Sequence, residues 1–301
     1  MDISRTEIRK ELPLYFKNTN ILSFMSILAF TLILLLGAYL AGLAGSLTGL
    51  GGGVVIIPLL TLGFNIDIRY AIGSALVASI ATSSGSASAY VKEGITNMRL
   101  GMFLEIATTI GAVIGATIAI YMPTNVIAII FGTVLIFSAV MTIRKKHDHN
   151  NVIGSVAARK LKLNGSYPTA DGQVHYQLTN VFGGFSMMSL AGVLSGLLGI
   201  GSGALKVLAM DAAMRVPFKV STTTSNFMIG VTAAASAVVY LQRGYIDPGI
   251  AFPVIIGVLG GATTGAKLLP RMNVKVLRLI FSIAITIVAL NMMYNGFNNR
   301  F

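Results

Sequence analysis

Eight runs of predominantly apolar residues, divided by short basic connections, decide which solvent this chain is built for. They fall at about 21–44, 71–91, 100–121, 125–143, 181–198, 221–241, 250–269 and 275–295. A helix needs about 20 such residues to cross a bilayer core. Only 11% of the 301 residues are charged and 54% are hydrophobic, under half the ~25% charge of a soluble chain. An ordinary water-soluble globule is excluded, and so is disorder, because disordered chains are charge-rich. The net charge of +12 sits in the gaps between apolar runs. That is how lysine and arginine mark cytoplasmic loops; a nucleic-acid groove would need them on one wet face. With no cysteine, disulfide frameworks, thiolate nucleophiles, zinc ribbons and iron–sulfur centres are all excluded.

Two further apolar stretches, 53–63 and 203–213, are too short to span. At 1.5 Å per residue each rises only ~16 Å as helix. Each follows a glycine cluster, Gly49–Gly53 or Gly199–Gly203, and so reads as a half-helix dipping into the bilayer. The N-terminal run is too long for a secretory signal and no A-x-A site follows it, so it is counted as the first span. Two arrangements suit these segments. Four crossings per half leave the halves parallel with the N-terminus inside. Glycine hairpins that replace one crossing per half make them antiparallel with the N-terminus outside. Loop charge separates the two by a single residue, and the expectation adopted is eight crossings.

Shifting the sequence by 150 residues aligns it with itself without a gap. Ala41-Gly42 meets Ala191-Gly192, and Leu47, Gly49, Gly51 and Gly53 meet Leu197, Gly199, Gly201 and Gly203. Tyr90 meets Tyr240, and Gly111 and Gly115 meet Gly261 and Gly265. The fold expected is therefore an all-α polytopic membrane protein with two homologous four-helix-type halves, glycine-broken half-helices and about eight transmembrane spans. Its parts are a polar tail at 1–20, a first membrane repeat at 21–143, a polar linker at 144–180, a second repeat at 181–296 and a short tail at 297–301. In the linker, Arg159–Leu163 and Gln173–Leu178 alternate about Asp171-Gly172, which predicts a β-hairpin.

The glycine clusters carry the chemistry. Glycine lets backbone approach a ligand closely, and a half-helix start presents free N–H groups and a positive dipole end. Within a membrane that arrangement is an anion site. The candidate binding residues are Gly51, Gly52 and Gly53 with Gly201, Ser202 and Gly203. Lys206 joins them because a lysine at membrane depth costs ~3 kcal/mol and is a functional hypothesis by default. Thr224 and Asn226, in the run Ser221–Asn226, supply neutral donors; capping bonds to their own helix are the plainer use of such residues. Gly111xxxGly115 and Gly261xxxGly265 read as close helix packing, and Lys267 as a side chain snorkelling to the interface. A nucleotide P-loop is rejected for want of Gly-Lys-Ser/Thr. His147, His149 and His175 all lie in the linker, so no catalytic set or metal site is expected. Glu93, Glu105, Asp211 and Asp247 stand at or near span ends, where solvation is the default, although Glu105 and Asp211 could carry protons.

The run Ala41–Gly53 followed by Pro58-Leu-Leu, duplicated as Ala191–Gly203, resembles the sulfite exporter TauE/SafE family, also described as the 4-toluene sulfonate uptake permease group. The resemblance covers about residues 25–295. Gly201–Asp211 with Lys219–Asn226 is similar to a prokaryotic subgroup. Ser202 stands where the family's second cluster usually has glycine, and Leu208 where its proline is expected. The resemblance implies a multi-pass carrier in the cytoplasmic membrane of a prokaryote, moving sulfite, a sulfonate or a related organosulfur anion. It implies neither an enzyme nor a cofactor. The partners expected are a small anionic substrate, the lipid bilayer and a coupling ion, H+ or Na+, with no nucleic acid; homo-oligomerisation is left open. An anion channel and a non-transporting membrane scaffold are the alternatives.

Overall fold

The computed structural model describes residues 27–48, 51–92, 94–143, 154–169, 172–268 and 274–298. In chain order, α1 (Ile27–Thr48) is followed by a short α2 (Gly53–Pro58), which runs on as a π-helical stretch, Leu59–Gly63. Then come α3 (Ile68–Lys92), α4 (Met98–Tyr121) and α5 (Thr124–Ile143). The linker holds α6 (Val156–Lys160), β1 (Gly165–Thr169) and β2 (Gly172–Tyr176). The second half repeats the first as α7 (Val181–Leu198), α8 (Gly203–Leu208) with a π-helical stretch Ala209–Ala213, α9 (Phe218–Gln242), α10 (Pro248–Leu268) and α11 (Val274–Phe297). This is a mostly helical, polytopic membrane protein. Among the described residues five helices, α1, α4, α7, α9 and α10, contain stretches long and apolar enough to cross a membrane.

Burial is inverted relative to a water-soluble bundle. Leu28, Leu32, Leu36 and Leu40 line the outside of α1. Ser74, Ser79, Ser221, Ser225 and Thr232 are fully buried. Hydrocarbon leaves the leucines at no cost, whereas hydroxyls must find partners inside. Both π-helical stretches end alike, with Ile66 N–H donating to the Leu60 carbonyl and Val216 N–H to that of Met210 (3.0 Å each). Leu208 in place of Pro58 leaves this turn intact, so the proline does not cause it.

Helix directions follow from the close approaches of glycines, and they correct the expectation of parallel halves. Gly257, Gly261 and Gly265 on α10 meet Leu35, Tyr39 and Leu43 on α1 in rising order, so these helices are parallel. Gly73 meets Tyr245 and Gly85 meets Leu259–Thr263, which makes α3 parallel to α10. In the other group, Gly111 and Gly115 on α4 meet Ser189–Leu197 on α7, and Gly101 meets Thr224–Met228 on α9. These three are also mutually parallel. The groups oppose each other, since Gly73 lies against Tyr245 while Ser83 bonds Asn226. Gly132 and Gly296 likewise set α5 antiparallel to α11. The physical reason is α2. Leu59 packs on Gly37 and the Gly51–Gly52 loop on Gly45, so the broken segment runs back along α1 before α3 sets out again. Each half thereby reverses direction an extra time, and the halves are inverted. The Gly111/Gly115 and Gly261/Gly265 stripes serve backbone packing between the halves, as their spacing suggests.

In the linker, Arg159–Leu163 is not a strand. The Ser155 hydroxyl accepts from Ala158 N–H (3.1 Å) and caps α6, and Val-Ala-Ala-Arg-Lys is good helix sequence. The hairpin is β1 against β2, antiparallel, from Gly165 opposite Tyr176 to Thr169 opposite Gly172. Ala170 and Asp171, and the linker histidines His147 and His149, lie outside the described residues.

Candidate functional site

The two halves meet where α3 crosses α9. Ser83 Oγ on α3 donates to the Asn226 carbonyl (2.6 Å), and a Cβ on Gly230 would stand 2.8 Å from Ser83 Oγ. Beside the crossing the two glycine loops abut. A Cβ on Gly53 would lie 2.9 Å from the Gly199 carbonyl oxygen, and one on Gly51 would lie 3.7 Å from that of Ile200. Ile229 of α9 wedges against both loops, 3.9 Å from such an atom on Gly51 and 2.7 Å from one on Gly201. Gly51, Gly52, Gly53, Gly201, Ser202 and Gly203 are all buried. Gly51 (φ +83°) and Gly201 (φ +66°) need the left-handed region, which glycine enters freely. These loops are therefore in contact, interior and closed.

Ser202 is the informative departure. It adopts φ +44°, which costs a residue with a Cβ roughly 1–2 kcal/mol. Its hydroxyl is buried and has no hydrogen-bond partner. Ser79 Oγ, 2.8 Å from a Cβ built on Gly53, is likewise unpartnered, and so is Asn226 Nδ2. Asn226 sits beside Ser225, whose hydroxyl donates to the Gly203 carbonyl (3.1 Å). Ser202 and Ser79 at the helix starts, and Asn226 on α9 next to Ser225, thus keep hydrogen-bonding capacity that protein does not use. Buried polar groups are nearly always satisfied, so unused donors at this depth are groups that a polar ligand could engage. The first amides of α2 and α8 also lack intrahelical acceptors by construction.

Two candidates are turned elsewhere. Thr224 Oγ1 accepts from Asn97 N–H (3.1 Å) and so faces the N-cap of α4 rather than the glycine loops. Lys206 is wholly buried, and its backbone N–H joins α8 to the Ser202 carbonyl (3.0 Å). Its ammonium donates to Thr232 Oγ1. The Thr232 hydroxyl has one hydrogen and two acceptors within reach, Glu105 Oε1 at 2.6 Å and the Met228 carbonyl at 3.0 Å. The carboxylate is the stronger acceptor. Glu105 also accepts from Thr109 Oγ1 (3.3 Å), while its Oε2 has no partner.

Thr232 carries no signal in the sequence, and Glu105, expected at a solvated span end although able to carry a proton, is joined through Thr232 to Lys206. Glu105 is 7% exposed, inside the bundle rather than solvated at a span end. A signal for it exists. The repeat places Ile255 opposite Glu105 and Ile56 opposite Lys206, so the two charges are the halves' complementary departures from symmetry. Among the described residues no group of His, Cys, Asp or Glu could hold a metal. Lys267 ends α10 exposed, free to snorkel.

The family profile described as "Sulfite exporter TauE/SafE" matches residues 34–292. "Probable membrane transporter protein YunE" of Bacillus subtilis is 28% identical over 277 residues, covering 89% of this chain and 99% of its own. "Probable membrane transporter protein YdhB" of the same organism is 26% identical over 247 residues, 81% of this chain and 94% of its own. "Probable membrane transporter protein MJ0441" of Methanocaldococcus jannaschii is 24% identical over 287 residues, 90% and 98% of the respective chains. No solved structure matches the chain.

Proposed function

The chain belongs to the sulfite exporter TauE/SafE family, and from that premise we propose that it is a secondary transporter carrying a small anion across the cytoplasmic membrane of a prokaryote. The anion class is sulfite, a sulfonate or a related organosulfur anion, and access alternates between the two sides. One observation carries this reading. Glycine-led helix starts from two inverted halves abut in the interior beside three polar groups with no protein partner, Ser79, Ser202 and Asn226. Hydroxyls, amide and main-chain N–H groups are the donors that replace an oxyanion's hydration shell, and helix starts favour negative charge. Lys206, one turn beyond Ser202, is the buried cation of this region, its ammonium held on Thr232. Broken helices of inverted repeats are where secondary carriers hold their substrates, and movement of one half against the other exposes the site alternately. The closed loops suit a carrier's occluded state.

All eight long helices then lie in the bilayer, with α2 and α8 returning beside α1 and α7. The face bearing the hairpin carries Arg99, Arg159, Lys160, Lys162, Arg215 and Lys219, against Arg69 and Arg243 on the other among the described residues. The hairpin face is therefore cytoplasmic and the N-terminus external. Flux of labelled sulfite or an alkanesulfonate into proteoliposomes tests the reading. Wild-type protein is expected to give saturable flux that the combined substitution Gly52→Leu and Lys206→Ala abolishes. Unchanged flux in that variant removes the site.

A further inference from the structure

The Glu105–Thr232–Lys206 bridge joins the halves. Glu105 stands on α4 of the first repeat, and Lys206 and Thr232 stand on α8 and α9 of the second. Its hydrogen bonds have one polarity, from ammonium to hydroxyl to carboxylate. As ions the end members cancel, so the empty site is neutral at membrane depth. Glu105 also lines a crevice of about 490 Å³ between α4 and α9, whose other walls include Met102, Ile106, Phe227 and Val231. Met102, Ile106 and Val231 are exposed apolar side chains of the outer surface, so the crevice opens towards hydrocarbon; the buried carboxylate keeps one unpartnered oxygen and is linked through Thr232 to a buried cation. Few other charges bear on it. α7 has no titratable side chain, α9 has only Lys219 and Tyr240 near its ends, and α4 has only Arg99 and Tyr121 at its ends.

We propose that Glu105 is the proton site through which this transporter couples anion binding to proton uptake. The inference rests on the anion reading above and assigns its coupling ion. A proton added to the Glu105 carboxylate removes the negative charge that Lys206 faces through Thr232. The ammonium is then left as an uncompensated buried charge, which is strongly unfavourable, and an anion at the neighbouring helix start restores neutrality. Empty, the site holds Glu105 as carboxylate and Lys206 as ammonium. Loaded, it holds neutral Glu105, ammonium and monoanion. The net charge is zero in both states, and one proton enters with each monoanion. By linkage, the anion must bind more tightly as pH falls, up to tenfold per pH unit for one coupled proton.

Methanesulfonate is the suitable probe, since its own charge does not change between about pH 5 and 9, where a linked proton would be read. Its affinity for the purified full chain in detergent is measured by calorimetry across that range, with proton uptake read in weak buffer. The expected result is affinity that rises as pH falls, with about one proton taken up per anion bound. In Glu105→Gln, affinity is expected to be independent of pH and proton uptake absent. Binding without pH dependence or proton uptake in the wild-type protein overturns the proton site and leaves the anion reading standing. Wild-type proton uptake that persists in Glu105→Gln also overturns it. Absence of binding at every pH, for this probe and for sulfite, overturns the anion reading itself. Where Glu105→Gln does not fold, Thr232→Val carries the variant arm: breaking the bridge is expected to weaken the pH dependence, and pH dependence and proton uptake unchanged from the wild type overturn the proposal.

Discussion

The bridge between Glu105 and Lys206 makes a quantitative prediction about stability. Lys206 is wholly buried and Glu105 nearly so, and Thr232 is hydrogen-bonded to both. Lys206→Met leaves the carboxylate without its cation, and Glu105→Gln leaves the ammonium without its anion. Either change should cost about 3–5 kcal/mol, the usual penalty for orphaning one member of a buried ion pair. Replacing both removes both charges and should cost little, because neutral side chains of similar volume often match a buried pair. The double-mutant cycle should therefore show a coupling of about 6–10 kcal/mol, less whatever the double variant itself costs, which is above the usual range for contacting residues. Unfolding of the purified protein in detergent, followed by circular dichroism with denaturant, reads this for the wild type, both single variants and the double variant. Additive single and double effects would refute the reasoning, since the two charges would then be solvated separately rather than through Thr232.

Three further outcomes are expected. Gly201→Ala must place a Cβ 2.7 Å from Ile229 at φ +66°, whereas Gly244→Ala, at φ +75°, meets nothing within 4 Å. The first should lose flux and about 2–4 kcal/mol, and the second only about 1–2 kcal/mol with flux retained; equal effects in unfolding and flux assays would contradict the closed-loop geometry. Tyr176, buried against the bundle with its hydroxyl accepting from Asn97 Nδ2 (2.8 Å), has its phenol pushed up to about 12, mainly by burial, with the Asn97 bond opposing. A raised phenol favours the protonated form in the docked hairpin, so its contribution is whole below about pH 10 and is lost as pH rises through 12. Limited proteolysis of the linker should accelerate over that window, and a flat profile would deny the docking. Because the chain has no cysteine, single-cysteine labelling reads topology directly. With an impermeant maleimide on intact cells, R243C should react and K160C should not, and labelling of both from outside would break the inverted arrangement.

Where the sequence and the structure agree, bilayer physics is the reason. Apolar runs of membrane length bounded by charge have only one helical outcome, and all eight long helices stand within a few residues of them. Helix direction was out of reach, because it turns on α2 folding back along α1, a packing choice between Leu59 and Gly37 that no local pattern encodes. Arg159–Leu163 alternates like a strand, yet a capping serine three residues upstream of Ala158 wins locally. In Thr222-Thr223-Thr224, which hydroxyl faces the loops depends on the rotation of α9, and Thr224 turns to Asn97. Glu105 looked solvated because burial there is tertiary, conferred by Thr232 more than a hundred residues away.

The departures from symmetry give the fold its asymmetry of strength. One interface between the halves, α1 and α3 against α10, is held by glycine-to-backbone contact, apolar packing and one neutral hydrogen bond between Tyr39 and Thr264 (3.0 Å), with Thr82, the counterpart of Thr232, bonding back to the Ala78 carbonyl (2.8 Å). The other, α4 against α7 and α9, has the same glycine packing and also the Glu105–Thr232–Lys206 bridge. In a low-dielectric interior a bridge of charges responds steeply to one added proton, whereas dispersion contacts do not respond at all. A carrier that must hold its halves together when empty and let them move when loaded needs one interface that senses ligand and one that does not. On the carrier reading proposed above, Lys206 and Glu105, where the repeat places Ile56 and Ile255, confine the charged contact to one of the two interfaces.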